Sequence, residues 1–231
     1  LKIWYTRFNQ LNESEDIKMD ILETMKARHS VRQYKNQAIE SSKREKINAL
    51  IKDVNAESKL SIQVFYDEPK CFDSFMAHYG KFENVKNYIA IVGNKNDQEK
   101  AGYYGEKIVL KCQKLGLNTC WVAMTHGKSK AQIKRGQKLL IIISLGYGET
   151  QGVPHKSKSI AELGQADQKN EWFEKGMEAV SLAPTAVNQQ KFYFELKNGI
   201  VTAKNLGGFY SRIDLGIVKY HFEAVTGHEV K

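Results

Sequence analysis

A short turn near the end of the chain limits the folds that this sequence can adopt. Lys197, Asn198 and Gly199 separate two runs, FYFEL and IVTA, whose aromatic and β-branched residues favour strands. An Asn-Gly pair readily takes the positive φ angles that a tight hairpin needs. The two runs therefore predict an antiparallel pair, which argues against a purely parallel sheet.

The other periodic segments alternate between helix and strand. Apolar spacing predicts helices near residues 19–28, 42–54, 101–115, 171–183 and 212–226, and strand-like runs begin at Leu60, Tyr88 and Leu139. Ser42 and Glu45 predict a capping box at the start of the second helix. Residues 149–167 are polar and predict a loop. Together these segments predict an α+β fold with a central mixed or antiparallel sheet flanked by helices.

The predicted domain covers residues 19–231. Residues 1–18 show no clear period, whereas Met19 begins a segment with helical spacing. We expect residues 1–18 to be a leader or extension, such as one derived from a vector.

Composition narrows the class of protein. The longest apolar run, LLIIISLGYG, is too short to span a bilayer, so no membrane association is expected. Cys71, Cys112 and Cys120 are scattered, which argues against a disulfide framework or a metal site and fits a reducing cytoplasm. The net charge of +9 favours anionic partners, but the lysines are spread along the whole chain.

The first candidate site is ARHSVRQY, residues 27–34. Arg28, Ser30 and Arg32 place two guanidinium groups and a hydroxyl where the first helix should end. Arginine binds phosphate with two parallel hydrogen bonds, and a hydroxyl adds a donor. The alternative is a basic helix C-terminus that the helix dipole favours.

Two further stretches are rich in neutral polar groups. GLNTCWVAM, residues 116–124, could bring its backbone close to a planar ligand. Alternatively, its Cys120 is a nucleophile. A lone cysteine without an evident histidine partner is more often buried and inert. APTAVNQQ, residues 183–190, offers amides that both donate and accept hydrogen bonds, as a ring with alternating C=O and N–H groups requires. Alternatively, Thr185 and Asn188 are local caps or turn residues. His221 lies on an apolar helix stripe and is expected to be a core residue with its hydrogen bonds satisfied.

The three stretches together resemble the FMN-dependent nitroreductase family over about Met19 to Val230. RHSVR is similar to the family's N-terminal phosphate motif, GLNTCW to its GLGTCW segment, and LAPTAVNQQ to its APSxxNxQPW motif. The order differs, because the APS motif precedes the GLGTCW segment in most of the family and follows it here. The tryptophan of QPW is also replaced, since Lys191 and Phe192 follow Gln190.

The resemblance implies a set of FMN-binding residues and no protein acid or base. RHSVR and a later arginine would bind the phosphate, and the amide stretch 183–190 would bind the ring edge and the ribityl chain. GLNTCWVAM would place a backbone N–H near flavin N5. The cofactor-binding residues implied in this way are Arg28, His29, Ser30, Arg32, Trp121, Val122, Ala123, Pro184, Thr185, Asn188, Gln190 and Arg212.

The resemblance also implies an activity. FMN would take hydride from NADH or NADPH and pass it to a small electron-poor acceptor, such as a nitroaromatic or a quinone, in ping-pong fashion in a homodimer. One alternative keeps FMN but changes the reaction to dehalogenation or flavin destruction. Another is a basic nucleic-acid-binding module, which is disfavoured because no basic cluster is interleaved with aromatic residues.

Overall fold

The computed structural model describes residues 21–231, so the expected leader at 1–18 lies outside the described part. The α-helices are α1 (Ile21–Ala27), α2 (Ser41–Ser58), α3 (Phe75–Tyr79), α4 (Gln98–Lys114), α5 (Ile160–Leu163), α6 (Glu171–Ser181) and α7 (Ser211–Thr226). The strands are β1 (Ser61–Phe65), β2 (Asn87–Gly93), β3 (Asn118–Val122), β4 (Lys138–Gly146), β5 (Gly164–Ala166), β6 (Phe192–Lys197) and β7 (Ile200–Asn205). Short 3₁₀ turns cover Pro69–Cys71 and Ala186–Asn188. Among the described helices, none is long and apolar enough to cross a bilayer.

The strands form two sheets, and the predicted α+β class is confirmed. The larger sheet is antiparallel, in the order β1-β2-β4-β3. All seven residues of β2 are buried, as its continuous apolar run predicts. The smaller sheet has the order β5-β6-β7 and is mixed, because β5 runs parallel to β6. The predicted hairpin joins β6 to β7, with φ angles of 52° at Asn198 and 75° at Gly199.

Helices α4 and α7 cross at two glycines and bring the two halves of the chain together. A Cβ atom on Gly102 would lie 1.9 Å from the carbonyl oxygen of Ile213. A Cβ atom on Gly216 would lie 1.9 Å from the carbonyl oxygen of Glu99. The backbones can approach this closely only because neither position carries a side chain. The crossing places the buried face of α7 beside the larger sheet, where Ile213 and Ile217 share a core with Ile141 and Ile143.

Two local predictions differ from the structure, and one strand was not predicted. The capping box at Ser42 and Glu45 is absent: α2 begins at Ser41, and its N-cap residue, Glu40, caps no backbone N–H because its carboxylate is bound by Tyr147 and Lys43. The polar loop at 149–167 contains α5 and β5, and α5 begins with a capping box formed by Ser159 and Glu162. No secondary structure is predicted for the segment after α4, which is strand β3 because its backbone pairs with β4.

Candidate functional site

The fold brings the three candidate stretches together in one chain. RHSVR follows α1 directly and is attached to the start of β3, because Val31 N–H donates to the Thr119 carbonyl at 3.0 Å. The third stretch, 183–190, follows the end of α6 and lies beside the first two stretches. A cavity of about 610 Å³ is lined by Ser30 and Arg32 from the first stretch, by Trp121 and Ala123 from the second, and by Pro184 and Thr185 from the third.

A second, smaller cavity of about 250 Å³ shares part of its wall with the large one. Ser30, Arg32, Pro184, Thr185 and Val187 line both. The remaining wall of the small cavity is more basic and polar, and is formed by Arg28, His29, Val153, His155 and Asn188. The pair of cavities therefore offers a small, basic compartment beside a larger and more apolar one.

Arg28 is the most unusual residue of the small cavity. Its side chain is only 3% exposed, and its Nε and Nη1 atoms have no hydrogen-bond partner within the described residues. The nearest carboxylate oxygen, Glu106 Oε1, lies 3.8 Å from Nε, within ion-pair range but beyond a hydrogen bond. Burial lowers the pKa of Arg28, and Glu106 opposes that effect. A buried guanidinium with unused donors is costly, and an anion in the small cavity would compensate its charge.

Glu106 connects Arg28 to two other elements. It is fully buried on α4, and its carboxylate accepts hydrogen bonds from Trp121 Nε1 and from His221 Nε2, each at 3.0 Å. Despite burial, which opposes ionisation, these partners and Arg28 lower the pKa of Glu106. His221 is itself fully buried, with Nδ1 2.8 Å from the Ala179 carbonyl oxygen. The prediction that His221 is a satisfied core residue is therefore confirmed.

The two histidines of the small cavity lie near the positive charge of Arg28. Burial is the main cause that lowers the pKa of His29, followed by the charge of Arg28. Burial also lowers the pKa of His155, whose Nε2 is 3.1 Å from the Ser181 carbonyl oxygen. Both imidazoles therefore favour the neutral form, which can donate hydrogen bonds without adding charge.

The loop after Pro184 is strained and held at both ends. Val187, Asn188 and Gln190 have φ angles of 46°, 54° and 46°, and such angles cost free energy in residues other than glycine. On one side, Asp214 accepts from Ala186 N–H at 3.0 Å and from the Gln189 side-chain amide at 2.8 Å. Strain held by such contacts is common in segments that bind ligands.

Gln190 holds the other side of this loop and does not line either cavity. Its Oε1 accepts from Lys158 N–H at 2.8 Å, while its Nε2 donates to the Lys156 carbonyl at 2.9 Å. The amide is 4% exposed, so the structure gives it a role in tying the loop to residues 156–158. Asn188 also donates to the Lys156 carbonyl, at 2.9 Å, but it does line the small cavity.

Val122 and Arg212 are also away from the two cavities. Val122 is buried in a separate core cluster on the other face of β3, as the alternation of side chains along a strand requires. Arg212 is exposed at the start of α7 and lines a different depression, together with Lys138 and Gln98. Cys120 lines the large cavity but is 2% exposed, and burial raises the pKa of its thiol, in agreement with an inert residue.

Several residues of the large cavity carry no sequence signal that points to a site. They come from the segment around α3, from the loop before α7 and from α7 itself, and they include Tyr79, Lys81, Phe209, Tyr210 and Asp214. Asp214 is 4% exposed, and burial raises its pKa to about 6. In the sequence, the one indication that Asp214 is unusual is that a carboxylate stands among the apolar residues of a predicted helix.

The arrangement of an antiparallel sheet, flanking helices and a two-part cavity defines a protein of the nitroreductase fold. The chain belongs to the family whose model is described as "Putative TM nitroreductase", which matches residues 20–226. None of the curated proteins is similar enough to match.

Solved structures show the same fold. A "putative nitroreductase" from Thermotoga maritima is 24% identical, with a TM-score of 0.66 over 90% of this chain and 83% of its own. A "putative nitroreductase in complex with FMN" from Desulfovibrio desulfuricans is 15% identical, with a TM-score of 0.50 over 63% of this chain and 95% of its own. The resemblance to the nitroreductase family that the motifs indicate is therefore confirmed.

Proposed function

We propose that the chain is a flavin oxidoreductase that binds FMN with the phosphate in the small cavity and the ring system in the large one. The observation that supports this most directly is Arg28, a buried guanidinium in the wall of the small cavity that has two donors without a partner among the described residues. Ser30 and Arg32 line the same wall and add a hydroxyl and a second guanidinium. This donor set matches a dianionic phosphate.

The large cavity fits a flat ring with a polar edge. Trp121, Ile141 and Pro184 provide apolar surface, and Thr185 provides a hydroxyl at the boundary with the small cavity. The Ala123 carbonyl accepts from the Tyr210 hydroxyl at 3.4 Å, which fixes the backbone beside the proposed ring position. When bound, FMN would supply hydride chemistry at N5. The chain's own groups would bind, orient and exclude water, and no protein acid or base is required.

The finer parts of the proposal concern the reaction partners. NADH or NADPH would be the reductant, and a small electron-poor compound such as a nitroaromatic or a quinone would be the acceptor, each using the large cavity in turn. Tyr79, Met124 and Phe209 expose aromatic or apolar surface at this cavity, which suits planar molecules. The three cysteines are buried free thiols, which agrees with the proposed cytoplasmic location.

The first test compares FMN binding in Arg28→Ala with that in Arg135→Ala, a change of an exposed arginine outside both cavities. A hydrogen bond to a charged group contributes about 1.5–3 kcal/mol, so Arg28→Ala should weaken FMN binding about tenfold to a hundredfold. Arg135→Ala should not change it. The measurement is quenching of FMN fluorescence on titration with each protein.

The second test asks whether the bound flavin is a redox cofactor. We expect the protein with FMN to lose its visible flavin absorbance anaerobically on addition of NADH or NADPH, and to regain it with a quinone. Bound FMN without turnover of nitro compounds would favour the dehalogenase or flavin-destructase alternative. A protein that takes up no FMN would overturn the proposed function altogether.

A further inference from the structure

The buried cluster of His221, Glu106 and Arg28 carries one net positive charge. The Ala179 carbonyl can only accept, so the hydrogen between it and His221 Nδ1 belongs to the imidazole. A second hydrogen lies between His221 Nε2 and Glu106 Oε1, which are 3.0 Å apart. Whichever of these two atoms holds that hydrogen, the histidine and the carboxyl group together are neutral overall. Arg28 then supplies a charge that nothing in the cluster balances.

The distances show that the Glu106 carboxylate hydrogen-bonds to His221 and not to Arg28. His221 and Trp121 each hydrogen-bond to Glu106 at 3.0 Å, whereas Arg28 Nε stays 3.8 Å away. All three members of the cluster are 3% exposed or less, so water screens these charges poorly. The negative charge of Glu106 is thus directed to His221, and Arg28, which lines the small cavity, keeps two donors without a partner among the described residues.

We propose that His221 is a positioning residue for the phosphate: by pairing with Glu106, it leaves the Arg28 guanidinium free to bind the anion. The inference rests on the proposed function, because it takes the FMN phosphate as the anion. His221 does not line either cavity, so it acts through Glu106 and Arg28 and not by contact. Without it, Glu106 would pair with Arg28 and cancel the charge that attracts the phosphate.

The experiment compares FMN with riboflavin, which has the same ring and ribityl chain but no phosphate. His221→Gln leaves Glu106 and Arg28 as a neutral pair, so we expect FMN binding to weaken roughly tenfold, the value of one charge-assisted hydrogen bond. Riboflavin binding should stay the same. His228→Gln, which changes an exposed histidine just beyond the end of α7, is the matched control and should alter neither.

A double variant separates charge balance from damage to the core. Glu106→Gln combined with His221→Gln removes both partners and restores one net positive charge on Arg28, so FMN binding should recover to near the wild-type value. A purely structural role predicts that the double variant binds FMN no better than His221→Gln. That result, or equal losses of FMN and riboflavin binding in His221→Gln, would overturn the proposal.

Glu106→Gln alone keeps the test decisive if His221→Gln does not fold. A neutral histidine beside a glutamine leaves Arg28 as the one charge of the cluster, so the ratio of FMN to riboflavin affinity should be unchanged. A tenfold fall in this ratio would contradict the proposed charge balance. If wild-type protein binds neither flavin, the proposed function fails instead, and the two failures are therefore distinguishable.

Discussion

Asp214 is the residue whose titration should be visible in the stability of the protein. Burial raises its pKa in the folded state to about 6, from an ordinary value of 3.8. The folded protein therefore keeps this proton over a pH range in which the unfolded chain has lost it. The sign follows: the contribution of Asp214 to stability is complete below pH 4 and is lost as the pH rises through 6.

Asp214→Asn should remove this pH dependence. Because asparagine cannot ionise, the stability of the variant relative to wild type should increase by about 2 kcal/mol between pH 4 and pH 7. Urea unfolding at a series of pH values measures this difference. The control is Asp53→Asn, an exposed aspartate on α2, for which the difference should stay constant. A constant difference for Asp214→Asn as well would show that its carboxyl group is not perturbed.

Individual residues were predictable where their chemistry is local. RHSVR places two arginines and a hydroxyl within five residues, so the sequence marks a candidate phosphate site beside the alternative of a basic helix C-terminus, and the structure puts Arg28, Ser30 and Arg32 in one cavity wall. The burial of Arg28 was not predictable, because it depends on Glu106 and His221 from distant helices. Gln190 shows the same limit, since its partners at 156–158 belong to another loop.

At the scale of elements, the crossing of α4 and α7 should tolerate added side-chain atoms least. Alanine is normally the better helix former by about 1 kcal/mol, yet a Cβ at Gly102 or Gly216 would meet a backbone carbonyl at 1.9 Å. Backbone cannot move aside as a flexible side chain can, so we expect Gly102→Ala or Gly216→Ala to cost more than about 3 kcal/mol. Chemical unfolding measures the change.

The matched control for this prediction is Lys114→Ala, an exposed position at the end of α4. It should change the free energy of unfolding by less than about 0.5 kcal/mol. A loss below 1 kcal/mol in both glycine variants would mean that the two helices can separate without penalty. The close approach of their backbones would then not be needed for the fold.

Elements with strong periodicity were predicted well, and those defined by pairing were not. Helices α4, α6 and α7 follow from the spacing of their apolar residues, and strand β2 follows from its continuous apolar run. Strand β3 contains polar residues, Asn118 and Thr119, that are buried by pairing with β4, which the local pattern cannot reveal. Strand β5 has three residues and exists because β6 lies beside it. Such short strands depend on tertiary contacts and leave little local signal.

At the scale of the whole molecule, both cavities are built from a single chain. The late position of APTAVNQQ raises the question of whether it serves its own flavin or that of a partner. Pro184 and Thr185 line the same cavities as Ser30 and Arg32 of the same chain. The proposed homodimer is therefore not needed to unite the motifs. The resemblance to the family implies both FMN binding and a homodimer, and these two properties can therefore be tested separately.

We therefore expect one FMN per chain, bound with an affinity that does not depend on association. Equilibrium dialysis at a fixed concentration of free FMN should give the same occupancy at each protein concentration, while sedimentation reports the proportion of homodimer. Fixing free FMN matters because dilution alone would release ligand by mass action. If FMN occupancy instead falls in step with dissociation of a dimer, the partner completes the site, and the cavities of one chain are insufficient.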